Sequence, residues 1–340
     1  MQTPFIRVPG RDGSESRPYR KGALQLHPDY LKIPFKSSGS GVSEGWGARS
    51  IHYCLFRASR DIVSRMRVLL SNDDGIYAPG LAALHEALCD VADVSVVAPQ
   101  AESSAVGHAI TIYSPLKTKE VYRNGSFFGY AVDGTPADCV KLAVSALLPE
   151  PPDFVISGIN LGPNAGISVI YSGTVSAATE GTILGIPSMA ISLSTFTEPI
   201  WDTAKWVARQ MLERLAEHGL PEGTLLNVNV PNIPQSLVKG TRVTRMGRSR
   251  FVETFERRTD PRGNTYYWMD GEIKLLEDPA ETDMNAVADG YISLSPLGFD
   301  LTHYAALPHL EKWRRTGDSN SNYGHVRAWE RVSGGCSRRL

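Results

Sequence analysis

The chain has 340 residues, of which 42% are hydrophobic and 21% are charged, and its formal net charge is −1. This composition is typical of a soluble globular protein with one large or two small domains. The near-neutral charge argues against nucleic-acid or anionic-membrane partners, and no run reaches the roughly 18 apolar residues of a membrane span. The four cysteines are scattered without a C-x-x-C spacing, which favours a reduced, cytoplasmic protein.

Residues 1–65 differ in composition from the rest of the chain. They are rich in Gly, Ser, Arg and Pro, and they hold eleven Lys and Arg against five Asp and Glu. We expect this extension to be disordered. Asp12 and Glu15 argue against an organelle-targeting segment, which is normally poor in acids. The extension has three interpretations: a basic tail, a targeting segment, which these acids disfavour, or upstream sequence included by a start codon placed before Met66.

From Met66 the pattern alternates between strands and helices. The predicted strands are Arg67–Ser71, Val94–Ala98, Phe154–Ser157, Ser188–Leu193 and Leu225–Val230. The predicted helices begin at about Pro79 and cover Ala137–Leu147, Gly173–Leu184 and Thr203–Glu217. Such alternation predicts an α/β core over residues 66–238, in which a mostly parallel sheet has helices on both faces.

The pattern changes beyond about Lys239. The alternating runs Phe251–Arg257 and Thr265–Met269 are separated by turn-forming residues and predict a β-hairpin. A strand over Tyr291–Ser295 and a short helix over Tyr304–Arg315 are also predicted. Residues 239–315 would therefore complete the same domain, and residues 316–340 read as a flexible tail.

Polar residues gather where predicted strands end, which is where open α/β sheets bind ligands. Asp73 and Asp74 follow the first strand directly. Two adjacent carboxylates repel each other, and a hard divalent cation such as Mg²⁺, Mn²⁺ or Ca²⁺ removes the cost of leaving them unpaired. The alternative is a solvated turn in which Asp74 caps the next helix.

A second candidate site opens the helix at Ser172-Gly173-Thr174. Its hydroxyls, unpaired N–H groups and positive dipole end suit an oxyanion such as phosphate, although the same residues could serve only as a helix cap. A metal beside a phosphate site indicates phosphoryl chemistry. Asn160 could be only a turn residue, and His108 only a surface histidine.

Together these segments resemble the SurE family of stationary-phase survival proteins, which are metal-dependent nucleoside monophosphate phosphatases. The likeness covers roughly residues 66–315 and rests on several uncommon motifs in one order. These motifs are Asn72-Asp73-Asp74-Gly75, Ser104–His108, Gly134–Val140, Ser157–Asn164, Ser172–Ala177, Leu226–Pro231 and Asp289–Ser293.

The resemblance implies roles for particular residues. One divalent ion per subunit, Mg²⁺ or Mn²⁺, would be bound by Asp73, Asp74, Ser104 and Asn160. The phosphate would be held by Asn164, Ser172, Gly173, Thr174 and Ser176. The implied catalytic residues are Asp74 and His108, the latter as an acid, a base or a partner for the leaving group.

The resemblance also implies a Rossmann-like fold and a C-terminal hairpin region that builds homodimers or homotetramers. The implied substrates are nucleoside 5′-monophosphates, with 3′-nucleotides and short polyphosphate as further candidates.

Water is the favoured nucleophile, because no His or Lys adjoins Ser104 in the sequence. A receiver-like signalling domain is the alternative, but it needs a phospho-accepting Asp where this chain has Ser157–Asn160. Dinucleotide-binding and P-loop glycine motifs are absent from the sequence.

Overall fold

The computed structural model describes residues 66–274 and 279–314, which fall within one compact unit. The predictions for residues 1–65 and 316–340 lie outside these described residues. No helix in the described ranges is long and apolar enough to cross a membrane.

The described residues form eleven strands and six α-helices. In chain order the strands are β1 (Arg67–Ser71), β2 (Asp93–Pro99), β3 (Thr118–Arg123), β4 (Ser126–Val132), β5 (Phe154–Leu161), β6 (Ser188–Ser194), β7 (Thr224–Pro231), β8 (Thr241–Val243), β9 (Arg250–Thr259), β10 (Thr265–Lys274) and β11 (Ile292–Gly298). The helices are α1 (Pro79–Leu88), α2 (Pro136–Leu142), α3 (Gly173–Ile183), α4 (Trp201–His218), α5 (Asp283–Ala288) and α6 (Leu307–Glu311). Shorter helical turns are Ala143–Leu147, Gly166–Ile170, Gln235–Leu237 and Tyr304–Ala306.

Nine of these strands form one sheet in the order β3-β4-β2-β1-β5-β6-β7-β11-β8. Neighbouring strands run parallel except at the β3–β4 and β7–β11 pairs. The strand order reverses at β1, because the chain builds outward through β2 and β4 before it returns to place β5 on the other side. Such a reversal leaves a crevice at the carboxyl ends of the strands.

Helices cover both faces of the sheet, because alternate residues of each buried strand point to opposite sides. Val68 and Leu70 of β1 pack in a core with residues of α1 and α4. Leu69 faces the other way, into a second core that includes Cys139 of α2 and Ala177 of α3. This arrangement confirms the predicted α/β fold with three layers and a mostly parallel sheet.

The structure corrects several predicted elements. The segment between β2 and α2, in which no strand was predicted, contains the antiparallel pair β3 and β4. Asn124 and Gly125 join these strands with φ values of 52° and 79°, which a two-residue hairpin turn requires. The predicted helix over Tyr304–Arg315 is a 3₁₀ turn followed by the short α6. The helix α5 was not predicted.

Strands β9 and β10 confirm the predicted hairpin and extend it. They pair over ten residues each, from Arg250 opposite Lys274 to Thr259 opposite Thr265, and form a separate two-stranded sheet. Most side chains of the hairpin are exposed, including those of Phe255, Tyr267 and Trp268. An isolated hairpin of this kind gains little stability from burial by itself.

Candidate active site

The predicted site residues lie at the crevice where the strand order reverses. Ser71, the last residue of β1, pairs with Ser157 of β5. Asp73 follows Ser71 by two residues, and Asn160 follows Ser157 by three. The first turn of α3 lies at the same edge. This helix connects β5 to the parallel strand β6, so it begins beyond the carboxyl end of β5. Sheet pairing therefore brings segments that are distant in sequence to one edge.

Asp73 lies against the N-terminal turn of α3. Its side chain is buried, and the hydroxyl of Thr174 donates a hydrogen bond to its Oδ1 atom. A Cβ added to Gly173 would lie 2.6 Å from the Cβ of Asp73, so this approach requires glycine. Burial raises the pKa of the Asp73 carboxyl, and hydrogen bonds from Thr174 and from the backbone of Gly173 only partly offset this.

Asp74 carries a second carboxyl beside the first. Burial, together with the charges of Asp73 and Glu102, raises the pKa of Asp74 to about 7. All three causes disfavour the negative charge, and a cation held between these groups would reverse their effect. Two acids that are costly to ionise alone are thus consistent with a cation site.

The loop after β2 is tied to this pair. The backbone N–H of Ser103 donates to the carbonyl of Asp73 over 2.7 Å. Ser104 is exposed, and its Oγ donates to Oε1 of Glu102 over 2.8 Å. Glu102, which the sequence analysis did not single out, is therefore a third acid near the site. Nothing in the sequence separates it from an ordinary solvated loop residue.

Asn160 lies in the last, irregular part of β5. The register between β5 and β6 shifts between Ser157 and Asn160. Gly158 has a φ of 137°, and a Cβ added there would lie 2.3 Å from the Ile191 carbonyl oxygen. The Asn160 Nδ2 donates to the carbonyl of Gly162 over 2.8 Å. Since the amide nitrogen faces the backbone, the carbonyl oxygen of the side chain is the atom left for a cation.

These oxygens form a suitable donor set for a hard divalent ion. Two carboxylates, one hydroxyl and one amide carbonyl match the ligand chemistry of Mg²⁺ or Mn²⁺. Across residues 66–274 and 279–314, no group of three or more His, Cys, Asp and Glu side chains is placed to hold a metal. A metal at this edge would accordingly need the Ser and Asn oxygens as well as the acids.

Asn164 is fixed by side chains from two neighbouring strands. Its backbone N–H donates to Asn229 Oδ1 over 2.9 Å, and its carbonyl accepts from the side-chain amides of Asn227 and Asn229. Its own Nδ2 donates to Ser192 Oγ over 2.9 Å. Asn227 and Asn229 were noted only as part of a motif, and the structure shows that both hold the Asn164 backbone in place.

The remaining predicted phosphate residues form the first turn of α3. Ser172 is the N-cap, and its Oγ accepts a hydrogen bond from the N–H of Val175 over 3.0 Å. Ser176 Oγ donates to the carbonyl of Ser172 over 2.6 Å. The helix cap read from the sequence is therefore present. The positive end of the helix dipole remains directed at the crevice.

His108, in the loop after β2, contacts α3 at Glu180, beyond the first turn that carries the predicted phosphate residues. Its Nε2 is 2.9 Å from Oε2 of Glu180, and Lys141 Nζ contacts the other oxygen of the same carboxylate. The preceding residue is also fixed, since the N–H of Gly107 donates to the Tyr171 carbonyl over 3.0 Å. No contact joins His108 directly to Asp73 or Asp74 in the described residues.

Comparisons with known proteins find one matching family and several similar sequences. The family model described as "Survival protein SurE" matches residues 68–253. The chain is 52% identical over 248 residues to the 5′-nucleotidase SurE of Syntrophobacter fumaroxidans, covering 73% of this chain and 99% of that protein. A 5′-nucleotidase SurE from Heliobacterium modesticaldum is 49% identical over 255 residues, covering 75% of this chain and 94% of that protein.

One solved structure extends the comparison to three dimensions. The SurE protein from Aquifex aeolicus superposes with a TM-score of 0.63 at 41% sequence identity. The match covers 73% of this chain and 99% of that chain. The stretch matched by the family model includes every strand end and helix start that forms the crevice.

Proposed function

Because this chain belongs to the SurE family, we propose that it is a metal-dependent phosphatase that hydrolyses nucleoside 5′-monophosphates to nucleoside and phosphate. The observation that carries this proposal is the contact between Asp73 and the N-terminal turn of α3. The Asp73 carboxylate, a proposed cation ligand, contacts a helix N-terminus that suits a phosphate, and this supports a metal and a phosphate bound side by side. Nucleoside 3′-monophosphates and short polyphosphate are further candidate substrates.

We assign the metal to Asp73, Asp74, Ser104 and Asn160, with one Mg²⁺ or Mn²⁺ per subunit. When bound there, such an ion would lower the pKa of a coordinated water and neutralise phosphate charge. The carboxylate of Asp74 can accept a hydrogen bond from the attacking water and so orient it toward phosphorus.

The phosphate would lie at the first turn of α3. Backbone N–H groups of Gly173 and Thr174, with the hydroxyl of Ser172, would orient its oxygens. The hydroxyl of Ser176, which donates to the Ser172 carbonyl, would join them by rotating toward the phosphate. Asn164, whose side chain donates to Ser192 of β6, would line the phosphate site on that side. His108 is the candidate proton donor for the departing ribose oxygen, a role supported by its place in the loop that also carries Ser104.

The proposal includes an assembly and a location. The exposed aromatic residues of the β9–β10 hairpin support a homodimer or homotetramer, in which residues 239–315 complete the domain formed by residues 66–238. The free thiols of Cys89 and Cys139 support a cytoplasmic location.

Phosphate release tests the activity directly. The purified protein is assayed with 5′- and 3′-nucleoside monophosphates and short polyphosphate, first after chelation and then with Mg²⁺ or Mn²⁺ restored. We expect release only with metal present, fastest with a 5′-monophosphate.

The variant Asp74→Asn tests the metal assignment in the same assay. It removes one of two anionic ligands, so we expect turnover to fall by at least about 100-fold while the fold persists. The matched control is Asp93→Asn, which changes an exposed acid at the amino end of β2, on the opposite edge of the sheet. Near-normal turnover of Asp74→Asn at saturating metal would refute the assignment.

The receiver-like alternative is not favoured. The strand β5 reaches the crevice with Asn160 rather than with the aspartate that such a domain phosphorylates. Incubation with a phosphodonor separates the two functions, since a stable aspartyl-phosphate without phosphate release would contradict hydrolysis.

A further inference from the structure

A buried carboxylate in α3 has two basic partners from two other elements. Glu180 is 2% exposed. His108, from the loop after β2, lies 2.9 Å from its Oε2 through Nε2, and Lys141 of α2 contacts its Oε1. The carboxylate therefore joins α2, α3 and the loop that carries Ser104.

Burial alone would make this charge unfavourable. A buried carboxylate is destabilising unless it is paired, and here each oxygen has its own partner. Burial raises the pKa of Glu180, but the hydrogen bonds from His108 and Lys141 outweigh it and hold the pKa below its usual range. Glu180 is accordingly a charged acceptor at neutral pH.

A charged acceptor at Nε2 fixes the histidine. The ring donates its Nε2 proton to Glu180, so only Nδ1 can exchange a proton with a ligand, and it can give one only when the ring is a doubly protonated imidazolium. The side chain of His108 remains 32% exposed, so this nitrogen can reach solvent or a ligand. The bond between Gly107 and the Tyr171 carbonyl fixes the adjacent backbone next to the Ser172 cap.

We propose that Glu180 is a positioning residue for His108, holding its imidazole in one orientation and one tautomer beside the phosphate turn. This inference rests on the proposed function, in which His108 serves the leaving group. Lys141 has a different part: it balances the charge of Glu180 without touching the histidine.

A double-mutant cycle on kcat and KM tests the proposal. Glu180→Gln should lower kcat by about 10- to 100-fold with little change in KM, as loss of a carboxylate that orients a histidine does. His108→Asn should have a similar effect. The double variant should be no slower than His108→Asn alone, because the two residues act as one unit.

Control variants separate positioning from packing. Glu213→Gln changes an exposed acid on α4 and should leave kcat unchanged. Lys141→Met should lower the melting temperature but keep kcat within about threefold. If Glu180→Gln does not fold, Glu180→Asp keeps the charge but shortens the side chain, and we expect the same non-additivity with His108→Asn.

Nitrogen NMR of the His108 ring gives a readout that does not depend on activity. At a pH where the ring is neutral, we expect a single Nε2-protonated tautomer in the wild-type protein and a mixture of tautomers in Glu180→Gln. Independent, multiplicative effects on kcat, or an unchanged tautomer, would overturn the proposal. If the wild-type protein released no phosphate, the phosphatase function would be refuted instead. The NMR result would still decide the role of Glu180.

Discussion

Gly173 lies where the first turn of α3 meets Asp73, and the contact leaves no room for a side chain. An added Cβ would lie 2.6 Å from the Cβ of Asp73 and 3.0 Å from its Oδ2. The hydroxyl of Thr174 bonds the same carboxylate. At the scale of single residues, the proposed metal ligand Asp73 therefore directly contacts the proposed phosphate-binding residues Gly173 and Thr174.

The variant Gly173→Ala tests whether this contact matters for activity. Alanine is favoured over glycine in helices by about 1 kcal/mol, so propensity alone predicts a more stable helix. The clash with Asp73 should instead displace the carboxylate, and a shift of about 1 Å can cost about 100-fold in rate. We expect phosphate release to fall by that order, with circular dichroism unchanged.

The control for this variant is Gly298→Ala, because a Cβ at Gly298 would meet no atom nearer than 3.7 Å. It should keep full activity. Wild-type turnover in Gly173→Ala would mean that the α3 turn can move away from Asp73 without consequence.

At the scale of elements, α2 shows how a short helix is anchored to the active-site loop. Thr135 and Asp138 form a reciprocal capping box around Pro136. Asp138 is buried and also accepts two hydrogen bonds from Thr111, through its N–H and its hydroxyl. One carboxylate therefore begins the helix and fastens the chain just after His108.

Asp138→Asn should make stability depend less on pH. Burial raises the pKa of Asp138, but the bonds from Thr111 and Thr135 outweigh it, and the folded pKa lies below 3.8. A group with a lowered folded pKa stabilises fully above its unfolded pKa and loses that contribution as pH falls through the folded value.

We therefore expect the unchanged protein to be more stable than Asp138→Asn by about 2 kcal/mol at neutral pH. Urea unfolding at a series of pH values should show this difference shrinking below about pH 4. A difference that stayed constant into that acidic range would show that Asp138 stabilises without its charge.

Long periodic elements were the predictable part of the fold. The apolar residues of β1 and α1 repeat at strand and helix spacing, and both elements lie where predicted. The β3–β4 hairpin was missed although Asn124-Gly125 is a strong turn signal, because its strands alternate weakly. The short α5 has too few residues for a period to appear.

Predictability of the site followed the same logic. Asp73 and Asp74 stand out because they end a strand, where ligands bind in α/β sheets. Glu180 does not, since an acid within a helix usually faces solvent. Glu180 is buried because α2 and the loop that carries His108 pack against α3. Such tertiary packing cannot be predicted from the local sequence.

At the scale of the whole molecule, the β9–β10 hairpin extends from the core with little covering. Among the described strands, β9 and β10 pair with each other alone, and Phe255, Tyr267 and Trp268 remain more than half exposed. Exposed aromatic residues in this number are typical of a surface covered by another subunit.

Shortening the hairpin tests whether it holds subunits together. Thr254 and Asp270 are paired, so residues 255–269 can be replaced by an Asn-Gly turn that keeps the base of the hairpin. We expect light scattering to show loss of the oligomer. The control Tyr122→Ser, on the other hairpin, should keep it. An unchanged mass after shortening would place the interface elsewhere.

The relatives suggest that residues 1–65 are not needed for catalysis. The 5′-nucleotidase SurE of Syntrophobacter fumaroxidans is matched over 99% of its length by 73% of this chain. Deleting residues 1–65 should leave kcat and KM within about twofold, since all proposed site residues lie beyond Met66. A large loss of turnover would show that the extension contributes to the active protein.

The bond between Thr174 and Asp73 joins residues 101 positions apart. The pairing of β1 with β5 likewise bridges Arg67 and Asp153, which are 86 positions apart. Contacts of such separation form slowly, because the entropy of closing long loops is lost before they contribute. The proposed active site therefore forms only when the whole sheet has assembled. On dilution from denaturant, phosphate release should return only after the helical circular dichroism signal has recovered.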